Sequence, residues 1–256
     1  MKKIKYKYLL FLILLFAFLI FINKETTRKI GINYNVFEYK IPIYLKINDF
    51  FNRHYNYKYL VKKINFNQSS KEEIIINTTK WVHQNIKKIP SGVDIVDHHP
   101  LTIVQRRLGV QSQFNDILSV FFIYLDIDSF FIRMFGDISH PLTFFKIDNY
   151  WSLLDPYYGI YFINEDRDFA SIEDLKTTKW EIMSLDSKNI DSMTISDLFL
   201  NNFQNYDEVK VYYKKIFKKI QSSKEIDNTN IFNRGGRSYI QKPLNRLRFE
   251  INRLYN

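Results

Sequence analysis

The first hydrophobic pattern along the chain is an unbroken apolar run from Tyr8 to Ile22. Fifteen residues are short for a bilayer core of about 30 Å, but the residues from Ile4 onward extend the run to about 20, because lysine side chains snorkel. The exit from the run lacks the small residues that a signal-peptidase site needs, since Ala17 is its only small residue. We therefore expect an uncleaved membrane anchor over residues 1–24, with a cleaved signal peptide and a buried helix as the alternatives.

The charges around this run predict its orientation. Four basic residues precede the run, namely Lys2, Lys3, Lys5 and Lys7. Three basic residues follow it, namely Lys24, Arg28 and Lys29. This bias favours a cytoplasmic N-terminus. We expect a single-pass protein of a bacterial-type inner (plasma) membrane, with its domain on the extracytoplasmic side.

Residues 25–69 are predicted to form a helical connector. The stretch from Tyr39 to Pro42 is typical of extended chain. The apolar positions between Ile47 and Ile64 recur at roughly helical spacing, which predicts one or two short amphipathic helices.

Residues 70–200 are predicted to form the main domain, beginning with three helices. Ser70 followed by Glu73 is a capping box, and it starts a helical pattern from Lys71 to Lys88 that Pro90 ends. The second and third helices are predicted over Leu101–Leu108 and Ser112–Leu125.

Three β-type segments follow these helices. They cover Phe130–Phe135, Leu142–Ile147 and Tyr150–Leu154, with a turn at Asp148-Asn149. Helices followed by an antiparallel meander predict an α+β fold rather than alternating βαβ units.

Residues 201–256 are predicted to form a basic helical extension. Helical patterns cover Tyr206–Ile220 and the segment after Leu244, with a turn at Asn233–Arg237 between them. Two interpretations stay open: surface helices packed on their own domain, or helices that contact anionic lipid headgroups or an acidic polymer.

The distribution of charge and the absence of cysteine restrict the function. The formal net charge is +10, but residues 1–24 carry +5, residues 201–256 carry +7 and the segment between them carries −2. A near-neutral core makes nucleic-acid binding unlikely, since that function calls for a basic face on the fold. The chain has no cysteine, which excludes disulfides, thiolate nucleophiles and cysteine-ligated metals.

Four short motifs resemble those of transglutaminase-like domains, which are related to papain-type cysteine proteases. The motifs are Thr79-Lys80-Trp81-Val82 with Asn85-Ile86, Gly109-Val110-Gln111-Ser112-Gln113-Phe114-Asn115, Ser139-His140, and Tyr150-Trp151-Ser152-Leu153-Leu154-Asp155-Pro156. The resemblance covers about residues 70–175 and implies helices packed on an antiparallel sheet. It also implies that His140 occupies the position of the catalytic histidine and that Asp155 orients it.

The sequence departs from this family at the nucleophile, because Gln111 stands where the cysteine would be. An amide cannot replace a thiolate as a nucleophile. We therefore expect a pseudoenzyme with a degenerate triad of Gln111, His140 and Asp155. The alternative is an atypical amidase or acyltransferase that uses Ser112 with His140 and Asp155, although one helical position turns a side chain by about 100°.

A pocket around this triad would suit a peptide or a glycan. The stretch from Asp94 to Pro100 resembles an Asp-Asp-His stretch of cysteine-lacking transglutaminase-like proteins from bacterial envelope and polysaccharide gene neighbourhoods. Neighbouring residues rarely point at one ion, so we expect neither a metal nor a cofactor. The candidate ligand-binding residues are Trp81, Asp97, His98, Gln111, Gln113, His140, Trp151 and Asp155.

The expected function is therefore to bind a peptide or glycan, or to organise a cell-envelope assembly through an envelope protein. Two further possibilities stay open: the triad is a structural relic, or the protein is a scaffold without a small ligand.

Overall fold

The structure is a computed structural model that describes residues 2–32, 35–90, 99–177, 179–186, 203, 205–229 and 236–255. It has a mixed α+β architecture, as the order of helices and strands in the sequence predicts. A five-stranded antiparallel sheet lies between two layers of helices.

The chain begins with helix α1 (Lys2–Asn23), whose described side chains are almost all exposed. Its segment Tyr6–Asn23 is long and apolar enough to cross a membrane, and none of it is buried against the protein. A long apolar helix that is not buried in the protein is typical of a membrane span or a signal sequence.

The connector after α1 contains the extended stretch predicted at Tyr39–Pro42, but it has more strand than the prediction of a helical connector allowed. Strands β1 (Glu25–Ile32) and β2 (Asn35–Pro42) form an antiparallel hairpin, and Glu25 pairs with Pro42. The threonine, valine and isoleucine residues of these segments favour strands because they are β-branched. After the hairpin comes one continuous helix, α2 (Ile43–Ile64), instead of one or two short ones.

The helices before the sheet follow the predicted order with earlier ends. Helix α3 (Lys71–Asn85) begins with the predicted capping box, and α4 (Pro100–Arg106) stops before Arg107, whose φ is +58°. The residues expected at the ends of these two helices instead form the short parallel strands β3 (Lys87–Lys88) and β4 (Leu108–Gly109). The central helix α5 (Gln111–Tyr124) follows directly.

The sheet contains the three predicted strands and two more. Strands β5 (Ser129–Phe135), β6 (Ile138–Ile147) and β7 (Tyr150–Asp155) lie in the predicted positions. Strand β8 (Ile160–Ile163), helix α6 (Ile172–Lys176) and strand β9 (Glu181–Ser184) continue the meander in the order β5-β6-β7-β8-β9.

Each face of the sheet has its own hydrophobic core. Phe145, Ile147 and Leu154 pack with helices α2 to α5, and the alternate residues Phe144 and Leu153 pack with the helices that follow the sheet. This division follows from the alternation of side chains along a strand.

The C-terminal region contributes to the second of these cores. Helix α7 (Tyr206–Phe217) buries Val209, Tyr213, Ile216 and Phe217, and α8 (Ser223–Asn228) buries Ile226. The last helices are α9 (Gly236–Tyr239) and α10 (Pro243–Tyr255). The predicted turn covers residues 233–237. Residues 233–235 lie outside the described residues, and residues 236 and 237 begin α9. Helix α7 is therefore part of the fold itself.

Candidate functional site

The centre of the site is a buried histidine–aspartate pair. His140 lies on β6 and Asp155 ends the neighbouring strand β7, and the antiparallel register between the strands brings the two side chains together. The distance from His140 Nε2 to Asp155 Oδ2 is 2.6 Å, and the two side chains are 5% and 0% exposed. Such a contact fixes both the position of the imidazole ring and its tautomer.

Asp155 is fully compensated by hydrogen bonds. The backbone N–H groups of Tyr157 and Tyr158 donate to its Oδ1 at 3.0 and 3.2 Å. The hydroxyl of Tyr213 donates to its Oδ2 at 2.9 Å. Because a buried carboxyl group is costly without hydrogen-bond partners, this network offsets the cost of placing Asp155 in the core.

Gln111 meets the other side of the imidazole. It is the first residue of α5, and its Nε2 lies 3.3 Å from His140 Nδ1. Because the amide nitrogen of Gln111 is a donor only, Nδ1 of His140 accepts this hydrogen bond and Nε2–H donates to Asp155. The hydroxyl of Tyr212 lies 3.1 Å from the same nitrogen. Both sides of the imidazole are therefore hydrogen-bonded within the protein.

The glycine before α5 has a packing role. A Cβ atom at Gly109 would lie 3.1 Å from the Cγ2 atom of Ile86, closer than ordinary van der Waals contact. The small residue therefore lets the start of α5 approach the end of α3. This close approach helps to place Gln111 at His140.

Tyrosine hydroxyls contact both ring nitrogens of His140. Within the described ranges, His140 is hydrogen-bonded to Gln111, Asp155, Tyr212 and Tyr213, and Ser112 is not among these partners. Burial, together with the charge of Asp155, raises the pKa of Tyr212 above its ordinary value. The Tyr212 hydroxyl therefore stays protonated at neutral pH.

Aromatic side chains surround the pair. The ring of Tyr158 stacks on His140 at 5.8 Å between centroids, with 9° between the planes. The ammonium group of Lys88 lies 4.5 Å from the ring centre of Tyr157 and 5.1 Å from that of Tyr158. Burial lowers the pKa of Lys88, and the charge of Asp155 partly opposes this shift. Lys88, Tyr157, Tyr158 and Tyr212 are all partly exposed.

The sequence did not single out these tyrosines or Lys88 as site residues. The one sequence feature that marks the tyrosines is their occurrence as two adjacent pairs, Tyr157-Tyr158 and Tyr212-Tyr213, in a chain that is 17% aromatic. Such a signal is weak when aromatic residues occur throughout the chain. The role of the second pair also depends on α7 packing on the sheet, which is a contact between distant parts of the sequence.

Three other predicted ligand-binding residues make contacts within the protein. Trp81 packs against the core residue Phe121, with 5.7 Å between ring centroids. Gln113 is buried, and its Oε1 accepts from the backbone N–H of Val110 at 3.0 Å. Trp151 is 1% exposed in the core, and its Nε1 donates to Oδ1 of Asp227 at 2.8 Å. None of these three residues contacts His140 among the hydrogen bonds and ring contacts of the described residues.

The remaining predicted residues, Asp97 and His98, lie outside the described residues. In the part of the chain that the structure describes, no group of three or more histidine, aspartate or glutamate side chains is arranged to hold a metal ion. Among the described candidate residues, Gln111 and Asp155 each contact His140, on opposite sides of its ring.

Comparisons with known proteins give one weak structural similarity. No family model matches the chain, and no curated protein matches it. A solved structure described as a "putative cysteine protease" from Cytophaga hutchinsonii is similar at a TM-score of 0.35 and 14% sequence identity. The match covers 51% of this chain and 47% of the other, so the chain spans about half the length of that protein.

Proposed function

We propose that this chain is a membrane-anchored, catalytically inactive protein of transglutaminase-like fold that binds a peptide or a glycan. The observation that supports the proposal is the contact between the Gln111 amide and His140 Nδ1 at 3.3 Å. In the family that the sequence resembles, the cysteine nucleophile would occupy this position.

The chemistry of the contact favours an inactive site. A glutamine amide is not a nucleophile, and Nδ1 of His140 is already hydrogen-bonded to Gln111 and Tyr212. His140 itself is 4% exposed, so an incoming acyl group would have no direct access to the imidazole without displacing a neighbour. General base catalysis needs that access, because the base must reach the proton it removes.

The surface above the pair supports a binding role. Partly exposed tyrosine rings, an ammonium group and an amide lie together around His140. Aromatic faces pack well against sugar rings and peptide side chains, while a few convergent polar groups fix orientation. A ligand at this surface would contact Gln111, Tyr212 and Tyr158 rather than the buried His140.

Helix α1 supports the membrane location. It is long and apolar enough to span a bilayer, and the bias of basic residues toward its N-terminal side favours an extracytoplasmic domain. We propose an inner-membrane protein of the cell envelope that presents its binding surface outside the cytoplasm. An assembly of envelope proteins or of polysaccharide is the setting that fits this location.

This proposal is tested by applying the purified full chain, in detergent, to binding arrays. The arrays carry soluble peptides and glycans, and the variants are Gln111→Ala and Tyr158→Ala, with Ser112→Ala as the matched control. We expect a peptide or glycan class that binds the wild type and the control but binds either site variant at least ten times more weakly. A fluorophosphonate probe that labels the wild type and not Ser112→Ala would instead establish the enzyme.

A further inference from the structure

Helix α2 carries an exposed apolar stripe along one face. The stripe consists of side chains that recur every three or four residues and are each between 42% and 63% exposed: Tyr44, Ile47, Phe51, Tyr55 and Tyr59. The opposite face of α2 packs into the protein through Tyr57 and Val61. The stripe is about 23 Å long at the helical rise per residue. An apolar surface of this length marks an interaction site rather than scattered exposed residues.

The composition of the stripe fits the surface of a lipid bilayer. Tyrosine is enriched where membranes meet water, because its ring is apolar and its hydroxyl is polar. Lys58 and Lys62 follow Tyr55 and Tyr59 by three positions, so they lie on the same face of the helix, and both are exposed. Asp49 is the one acidic residue of α2 and is paired with Arg28 at 2.8 Å.

The position of α2 in the chain also points to a membrane. The backbone N–H of Ile43, the first residue of α2, donates to the carbonyl of Lys24 at 3.0 Å. Lys24 directly follows the apolar segment Tyr6–Asn23. If α1 crosses a bilayer, this hydrogen bond holds the start of α2 at the level where the chain leaves the hydrocarbon core.

We propose that the stripe of α2 rests on the bilayer that α1 enters, with Lys58 and Lys62 contacting anionic lipid headgroups. The inference rests on the proposed anchoring by α1. It adds a second membrane contact that fixes how the domain stands on the surface. An interfacial helix of this kind buries its apolar face at the boundary of headgroups and acyl chains.

The absence of cysteine from the chain allows a direct test, since one introduced cysteine accepts one fluorophore. The full chain is reconstituted in vesicles of phosphatidylcholine, with and without phosphatidylglycerol. Nitroxide lipids then quench labels that lie in the membrane. The variants are Tyr55→Cys on the stripe, Leu14→Cys in α1, and Lys215→Cys as the control on α7, which packs on the other face of the sheet.

We expect quenching at position 14 by deep nitroxides in both lipids. We expect position 55 to be quenched by shallow nitroxides at least twofold more than position 215. The excess at position 55 should grow with phosphatidylglycerol and shrink with salt, because salt screens exposed charges over about 10 Å at 0.1 M. Replacing Lys58 and Lys62 with glutamine should remove the dependence on phosphatidylglycerol.

The outcomes separate this inference from the anchoring itself. Quenching at position 14 with equal values at 55 and 215 overturns the surface contact alone. No quenching at position 14 overturns the anchoring, and the surface contact fails with it. Efficient cross-linking between two copies through position 55 in sparsely loaded vesicles would show that a second copy of the chain covers the stripe, which also overturns the inference.

Discussion

Restoring a thiol at the start of α5 tests whether this site has the geometry of a cysteine-dependent one. The substitution Gln111→Cys places a single sulfur atom at the position that faces His140, in a chain that has no other cysteine. The substitution Ser112→Cys is the matched control. It sits on the same helical turn and points about 100° away from position 111.

The expected pKa follows from the distance to the imidazole. The Gln111 Nε2 atom lies 3.3 Å from His140 Nδ1. A cysteine sulfur is two bonds shorter in reach, which places it at about 5 Å from Nδ1, where an ion pair with an effective dielectric constant of about 20 gains roughly 3 kcal/mol. This energy corresponds to about two pKa units, so the thiol should titrate near pH 6 instead of its ordinary value of about 8.5.

The assay is the pH dependence of the iodoacetamide alkylation rate, measured on the folded full chain by mass spectrometry. We expect the rate for Gln111→Cys to reach half its plateau near pH 6, and adding His140→Asn should return the midpoint to about 8.5. Ser112→Cys should titrate near the ordinary value with or without His140→Asn. If both thiols titrate near 8.5, the histidine does not face position 111 as the structure has it, and the proposed relationship to cysteine-dependent domains loses its basis.

Three other predictions concern stability. Tyr213→Phe removes a donor from the fully buried Asp155, so the free energy of unfolding should fall by about 1–3 kcal/mol in urea titrations, and no change would contradict the network. Gly159→Ala should lower the free energy of unfolding by roughly 1–3 kcal/mol, because residue 159 has a φ of +66° and a Cβ atom there would lie 2.6 Å from the His83 ring. A Gly159→Ala variant as stable as the wild type would contradict this packing. Burial raises the pKa of Tyr57 above its ordinary value of 10.0, so its contribution to stability is complete below pH 10 and is lost as the pH rises above it. Tyr57→Phe should therefore weaken the loss of stability above pH 10 in urea titrations, and an unchanged pH profile would refute this assignment.

The sequence predicted the local elements well where a single signal controls them. The capping box of Ser70 and Glu73 starts α3 as expected, and Ser70 Oγ accepts from the Glu73 N–H at 3.1 Å. The helical pattern over Ser112–Leu125 and the three β-type segments predicted α5 and β5 to β7, although β6 begins earlier than predicted, at Ile138.

The errors arise where tertiary pairing decides the conformation. Lys87 and Lys88 continue a helical pattern, but they pair with Leu108 and Gly109 as a parallel strand. Strand β9 likewise pairs with β8, from which helix α6 separates it in the sequence. In the site, the motif order predicted the meeting of Gln111, His140 and Asp155. The position of Tyr213 in the site depends on the packing of α7 against the sheet, which the local sequence pattern does not predict.

The network around Asp155 determines which substitutions at this site folding can tolerate. Asp155 ties together the end of β7, the turn that follows it, strand β6 through His140, and helix α7 through Tyr213. Replacing either member of the pair alone leaves a buried polar group without its partner, which costs stability whether or not the protein has a substrate. Position 111 lies at the partly exposed edge of this network, where the Gln111 amide donates to the same imidazole. The histidine–aspartate pair is therefore maintained by folding itself, whether or not the site acts on a substrate.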